Sequence, residues 1–237
     1  MNNPSEFSVP LETGAPTTAL VYPAAGDGSS ARASLVLAHG AGAGQRSTFM
    51  VDFAAALSDL GLDVVTFNFP YTEQRRKIPD RAPVLEACYR AVIGAVRDRL
   101  QSAQRALFVG GKSMGGRIAT QVAAADAALP IAGLVLLGYP LHPPGKPAER
   151  RDKHLPSVSR PMLFVQGARD AFGTPDELTP LLQTLSPAPT LYPVPQGDHS
   201  FKLSRKDPEA QAAIYGGIQR TIVDWVRAQV PSRRRGE

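Results

Sequence analysis

The sequence predicts an α/β fold, with a mostly parallel central sheet, helices on both faces and no separate cap domain. Three observations predict it. Short apolar, β-branched runs alternate with amphipathic helical patterns along most of the chain, the order that builds parallel strands joined by covering helices. One run, Leu107-Phe108-Val109, leads into a Gly-x-Ser-x-Gly pentapeptide at 111–115, and an alanine-rich helical pattern follows at once. With 237 residues and 43% hydrophobic content, the chain suits one large domain, 1–237, with a sizeable core.

The elements follow in order. Residues 1–30 are rich in Pro, Gly, Ser and Thr, and the apolar pieces at 7–9 and 19–22 read as antiparallel edge strands. Leu35-Val36-Leu37-Ala38 is a buried strand that stops at His39-Gly40. Phe49, Phe53, Ala56, Leu57 and Leu60 have helical spacing, and Gly61 closes that helix. Val64-Val65-Thr66-Phe67 is the next strand. Val84, Leu85, Cys88, Ala91, Val92, Ala95 and Val96 mark a longer amphipathic helix ending near Leu100. Beyond the pentapeptide, Leu134-Val135-Leu136-Leu137 and Met162-Leu163-Phe164-Val165 are further buried strands. The insertion between them, 139–161, holds five prolines from Pro140 to Pro156 and a charged cluster at 149–153. It is too short and polar for a lid domain. A loop over the edge of a site and an inert surface connection are both open readings of it.

Thr174-Pro175-Asp176-Glu177 has the order of a capped helix start. A last short strand covers 191–194. Asp207-Pro208-Glu209 opens a final helix with Ile214, Ile218, Ile222 and Trp225 on its apolar face. Residues 231–237 form a basic tail.

Composition narrows the function classes. No run of about 18 apolar residues exists, so no membrane-spanning helix is expected. The start of the chain lacks the pattern of a signal peptide, and the lone Cys88 cannot form an internal disulfide. A cytoplasmic protein is the expectation. The net charge is +5 and the pI about 9.6, with part of the excess in Arg233-Arg234-Arg235. No basic-aromatic interleaving accompanies it, so no nucleic-acid partner is expected. Cys88 lies on an apolar helix face and reads as packed core. No His, Cys or carboxylate pair has metal-ligand spacing, so neither metal nor other cofactor is expected.

The pentapeptide carries the chemistry. Read as strand, sharp turn and helix, it puts the Ser113 hydroxyl at the tip of the turn, the arrangement of a nucleophile elbow. Gly111 and Gly115 flank the serine where side chains would collide with the neighbouring strand and helix. The pattern alone is weak, and Gly-Lys-Ser at 111–113 also ends a phosphate-binding P-loop. That motif needs a glycine at position 106, where this chain has Ala106, and a flexible loop where 107–109 is apolar.

A serine hydroxyl needs an imidazole to take its proton and a carboxylate to hold that imidazole. Nucleophile, acid and histidine follow in that order in folds with this elbow. Of the histidines after Ser113, His199 lies in the loop between the last strand and the final helix, where the base belongs. His142 follows a strand end, can line the pocket, and is the second candidate base. Asp170 follows the strand at 162–165 and is the candidate acid. Asp176 and Glu177 fit a helix start better, and Asp198 is adjacent to the histidine. The developing oxyanion needs two backbone N–H donors. Met114 supplies one. The glycine-rich His39-Gly40-Ala41-Gly42-Ala43-Gly44 supplies the other, from Ala41 or Gly42. His39 precedes the nucleophile and reads as structural. Tyr71, Arg75 and Arg76 follow a strand end, and Tyr71 and Arg76 are expected to contact substrate by presenting positive charge at the site mouth.

Four segments together, HGAGAG, GGKSMGGR, QGARDAFGTP and GDHSF, resemble the serine α/β-hydrolase superfamily. With FNFPYTEQRRKIPDRAPVLEAC and GYPLHPPGKP they are most similar to a small branch of hydrolases near the dienelactone hydrolases. That branch is similar to the hydrolase-like domain of a histone acetyltransferase complex subunit. The resemblance runs from about residue 35 to 225 and implies Ser113, Asp170 and His199 as a catalytic triad. Dienelactone hydrolases proper carry cysteine at the elbow, so their substrate does not transfer. The expected activity is hydrolysis of a carboxylic ester, thioester or amide, with a small-molecule acyl substrate as partner. Two alternatives stand beside it: a non-catalytic binding or scaffolding module, and an acyltransferase using the same serine.

Overall fold

A computed structural model describes residues 4–25, 32–204 and 207–230. The basic tail therefore lies outside the described residues. Among these residues eight strands form one sheet: β1 (Ser5–Val9), β2 (Thr17–Tyr22), β3 (Ser34–Ala38), β4 (Asp63–Phe67), β5 (Leu107–Lys112), β6 (Gly133–Leu137), β7 (Met162–Gly167) and β8 (Thr190–Val194). Their spatial order is β1-β2-β4-β3-β5-β6-β7-β8. Strands β3 to β8 run parallel, while β1 and β2 are antiparallel to their neighbours at one end. The helices are α1 (Thr48–Asp59), α2 (Pro70–Glu73), α3 (Ala82–Arg99), α4 (Gln101–Arg105), α5 (Met114–Ala125), α6 (Pro175–Leu182) and α7 (Pro208–Gln229).

The strands are apolar on both sides because both faces are covered. Alternate residues enter two separate cores. Val36 of β3, Val109 of β5, Leu136 of β6 and Phe164 of β7 pack with α3, α5 and α6. Leu37, Phe108, Val135 and Val165 pack with α1 and α7 on the other face. Cys88 is inside the first core, where burial pushes its thiol up to about 12. It is therefore inert as a nucleophile at neutral pH.

This topology places the site. Strands β3 and β5 are neighbours, yet β3 continues into α1 on one face and β5 into α5 on the other. Their carboxyl-end loops diverge and leave a crevice at the point where the strand order reverses. Two short helices have no clear sequence period: α2 starts at Pro70, and α4 follows α3 after a single extended residue, Leu100. The insertion 139–161 contains one short 3-10 turn, Leu155–Ser157. Both Pro140 and Arg151 in it line the crevice, so it runs along the site edge.

Candidate active site

Ser113 sits between the last residue of β5 and the first of α5, with φ 52° and ψ −115°. Left-handed φ is costly for a residue with a side chain. Close packing enforces it here. A Cβ on Gly111 would lie 2.3 Å from the Ala38 carbonyl oxygen, and one on Gly115 equally 2.3 Å from it. No side chain fits at Gly111 or Gly115, two residues to either side of the serine, so the chain turns sharply there and Ser113 lines the crevice.

Two loops meet that hydroxyl. His199, between β8 and α7, places Nε2 2.8 Å from Ser113 Oγ. Its Nδ1 lies 2.9 Å from Asp170 Oδ1 and 2.8 Å from Oδ2. The Asp170 side chain is fully buried, while His199 keeps 23% of its side chain exposed. Asp170 is fixed by the Phe172 N–H at 2.8 Å and the Gln166 amide at 2.9 Å. Gln166, at the end of β7, also accepts from the Tyr139 N–H (2.8 Å) and donates to the Gly173 carbonyl (2.6 Å). One buried amide thus ties the acid loop to the strand beside it. The Phe172 ring packs on the His199 imidazole, centroids 4.2 Å apart. Asp198 is occupied elsewhere: its carboxylate caps its own loop by accepting from the Ser200 and Lys202 N–H groups.

The loop after β3 forms the opposite wall. His39 is fully buried. The Phe69 N–H donates to its Nε2 at 3.2 Å, so Nδ1 carries the proton and donates to the Gly40 carbonyl at 2.8 Å. Burial holds the His39 imidazole below its usual range and so keeps it neutral. The Tyr71 hydroxyl donates to the Ala41 carbonyl at 2.9 Å. Both carbonyls are drawn into the protein. Ala41 and Gly42 themselves line the crevice. Met114 is the first residue of α5, where an N–H has no intrahelical acceptor. Ala41, Gly42 and Met114 therefore border the same crevice as Ser113.

A family model described as "alpha/beta hydrolase domain" matches residues 31–227. The chain belongs to the α/β hydrolase family. Solved structures agree on the fold. This α/β hydrolase is similar to a serine hydrolase homologue from Coxiella burnetii, with a TM-score of 0.71, 17% identity and coverage of 94% of this chain and 98% of that one. It is also similar to a serine hydrolase without lid from Xanthomonas campestris, with a TM-score of 0.65, 22% identity and coverage of 93% and 96%. A third likeness is to dienelactone hydrolase from Anabaena variabilis, with a TM-score of 0.71, 19% identity and coverage of 97% and 100%.

The cleft of this α/β hydrolase encloses about 560 Å³. Its apolar walls come from Phe49, Met50, Leu85 and Phe172, and its charged ones from Asp80, Lys112, Arg117 and Arg151. The residues expected to contact substrate from sequence lie elsewhere. Tyr71 is buried and its hydroxyl holds the Ala41 carbonyl. Arg76 turns to Asp80, 2.6 Å away, outside the cleft wall. His142 is buried one layer back. Its Nδ1 bonds the Pro143 carbonyl, its Nε2 lies 3.2 Å from Glu177, and its N–H holds the Phe172 carbonyl. Gln166, Arg117 and Arg151 were not singled out from sequence. Arg117 alone carried a signal, since it lies one helical turn after the serine. Among the described residues, no group of three His, Cys, Asp or Glu side chains could hold a metal ion, and no helix is long and apolar enough to cross a membrane.

Proposed function

We propose that this α/β hydrolase is a serine hydrolase that cleaves a small-molecule carboxylic ester, thioester or amide through an acyl-enzyme on Ser113. The observation that carries the reading is the unbroken hydrogen-bonded chain from Ser113 through His199 to Asp170, opening on a cleft. His199 Nε2 takes the Ser113 proton as Oγ bonds to the substrate carbonyl carbon. The resulting imidazolium is stabilised by Asp170. The N–H of Met114, with that of Ala41 or Gly42, receives the negative oxygen. The tetrahedral adduct collapses, the leaving group departs with the proton from His199, and water repeats the sequence to release the acid. The open cleft, without a cap, suits short or flexible acyl groups.

Ser113→Ala should lower kcat on short p-nitrophenyl esters by roughly 10⁴–10⁶ and abolish labelling by a fluorophosphonate probe. A wild-type protein that is folded, unlabelled by the probe and inactive on ester and thioester series would instead be a scaffold with an idle triad. Product analysis with added alcohols or amines separates hydrolysis from acyl transfer.

A further inference from the structure

Two arginines line the cleft that holds Ser113: Arg117, on the first turn of α5, and Arg151, in the loop after β6. Both are half-buried. Arg150 pairs with Asp152 at 2.5 Å, Arg76 with Asp80 at 2.6 Å, and Lys146 with Glu149 at 2.8 Å. Neither Arg117 nor Arg151 has an ion pair among the described residues, and the Arg117 Nε is buried without a hydrogen-bond acceptor. Burial first, and then the charge of Arg151, holds the Arg117 guanidinium below its ordinary range. Glu86 and the Tyr139 hydroxyl act on Arg117 in the opposite sense without pairing with it. Asp80 also lines the cleft, with Arg76 on its Oδ1 and its Oδ2 buried without a hydrogen-bond partner.

Two like charges gathered in a partly dry cleft repel each other, and an anion placed between them relieves the repulsion. Their backbones are also fixed relative to the nucleophile. The Arg117 N–H donates to the Ser113 carbonyl at 3.1 Å. The Arg151 N–H donates to the Leu141 carbonyl at 2.8 Å, and its own carbonyl accepts from the Tyr139 hydroxyl at 2.8 Å. The third cation, Lys112, has its Nζ buried away from solvent.

We infer that Arg117 and Arg151 form an anion subsite in the cleft, and that the substrate carries a carboxylate on one side of the scissile bond. This rests on Ser113 being the nucleophile. Planar guanidinium forks match a carboxylate in two-point contact. The subsite replaces Arg75 and Arg76 as the source of positive charge at the reaction centre.

The test uses matched esters differing only in that charge. On the acyl side these are mono-p-nitrophenyl adipate and its methyl ester. On the leaving-group side they are 4-acetoxybenzoate and its methyl ester. The readout is the ratio of kcat/KM, anionic over neutral, taken within each protein so that general losses cancel. Wild type should favour the anion by about tenfold to a hundredfold in at least one pair, the range of a charge-assisted hydrogen bond. The preference should shrink as salt is raised. Arg117→Gln with Arg151→Gln should bring the ratio near one, and Arg151→Gln alone, in a loop, should lower it if the double variant does not fold. A wild-type ratio near one in both pairs, or a preference that survives the double variant, overturns the subsite. Neutral esters cleaved and Ser113 labelled, with a ratio of one, sinks the subsite alone. Loss of labelling and of all turnover in wild type sinks the hydrolase reading and the subsite with it.

Discussion

Lys112→Met should stabilise this protein at neutral pH and remove a distinctive part of its pH dependence. Lys112 closes β5 and is 8% exposed. Its Nζ has no hydrogen-bond partner among the described residues and faces the Phe49 and Phe201 rings at 5.9 Å and 5.8 Å. Burial pulls the ammonium down from 10.5 to about 8, against the opposing pull of Asp170 and Asp198. That gap corresponds to roughly 3 kcal/mol for carrying the charge in the folded state. The full cost is present below about pH 8. Between about 8 and 10.5 the unfolded chain binds more protons than the folded one, so stability rises with pH across that window, and above it the cost has gone. Methionine fills the stem's space without the charge. At pH 7 the variant should therefore be the more stable by up to roughly 3 kcal/mol, less about 0.5–1 kcal/mol for the lost ring contacts. Urea unfolding of both proteins at pH 7 and pH 10 measures this, because the other titrating groups cancel in the difference. The advantage of the variant should be much smaller at pH 10. An equal difference at both values would refute the account of Lys112 as a buried, uncompensated charge.

Three other changes probe separate links. Tyr71→Phe removes the donor to the Ala41 carbonyl, at a cost of about 0.5–1.5 kcal/mol. If the loop positions an oxyanion donor, kcat should fall about tenfold with KM little changed, whereas a rise in KM alone would point to a substrate contact. Gly115→Ala forces a Cβ to within 2.3 Å of the Ala38 carbonyl, so the midpoint of chemical unfolding should drop by the equivalent of roughly 2–4 kcal/mol; an unchanged midpoint would show that β3 and α5 can separate cheaply. His154, bonded to the Thr120 hydroxyl, is held down to about 4 by burial first and by Arg117 second. The unfolded chain takes this proton first as pH falls, so His154 costs stability progressively from about pH 6.5 to 4. His154→Gln should lose less stability than wild type over that range, and parallel acid curves would contradict it.

What the sequence made legible follows a physical line. The central strands could be read because both faces of a parallel sheet are buried, so runs such as Leu35 to Ala38 are apolar throughout. The capping box at Thr174 and Glu177 was readable because both partners lie within one helical turn. Ser113, Asp170 and His199 could be named in advance because the elbow is local and strand order carries the other two to the same sheet end. The short helices α2 and α4 were not, since four or five residues hold no period to detect.

Side-chain direction was the harder matter. That Tyr71, Arg76 and His142 follow strand ends says which end of the sheet they occupy, but not whether they face the cleft. Tyr71 turns inward because its ring packs beside His39 and Phe69. Arg76 finds Asp80 four residues on, a pairing that spacing alone suggests. Arg117 needs the pitch of α5 to bring it to the cleft wall, and Arg151 needs the path of an insertion without periodicity. The charge a cleft offers a ligand is the charge its own protein leaves unpaired. Any arginine in a basic chain can supply it, and only a place on the cleft wall without an ion pair shows which ones do.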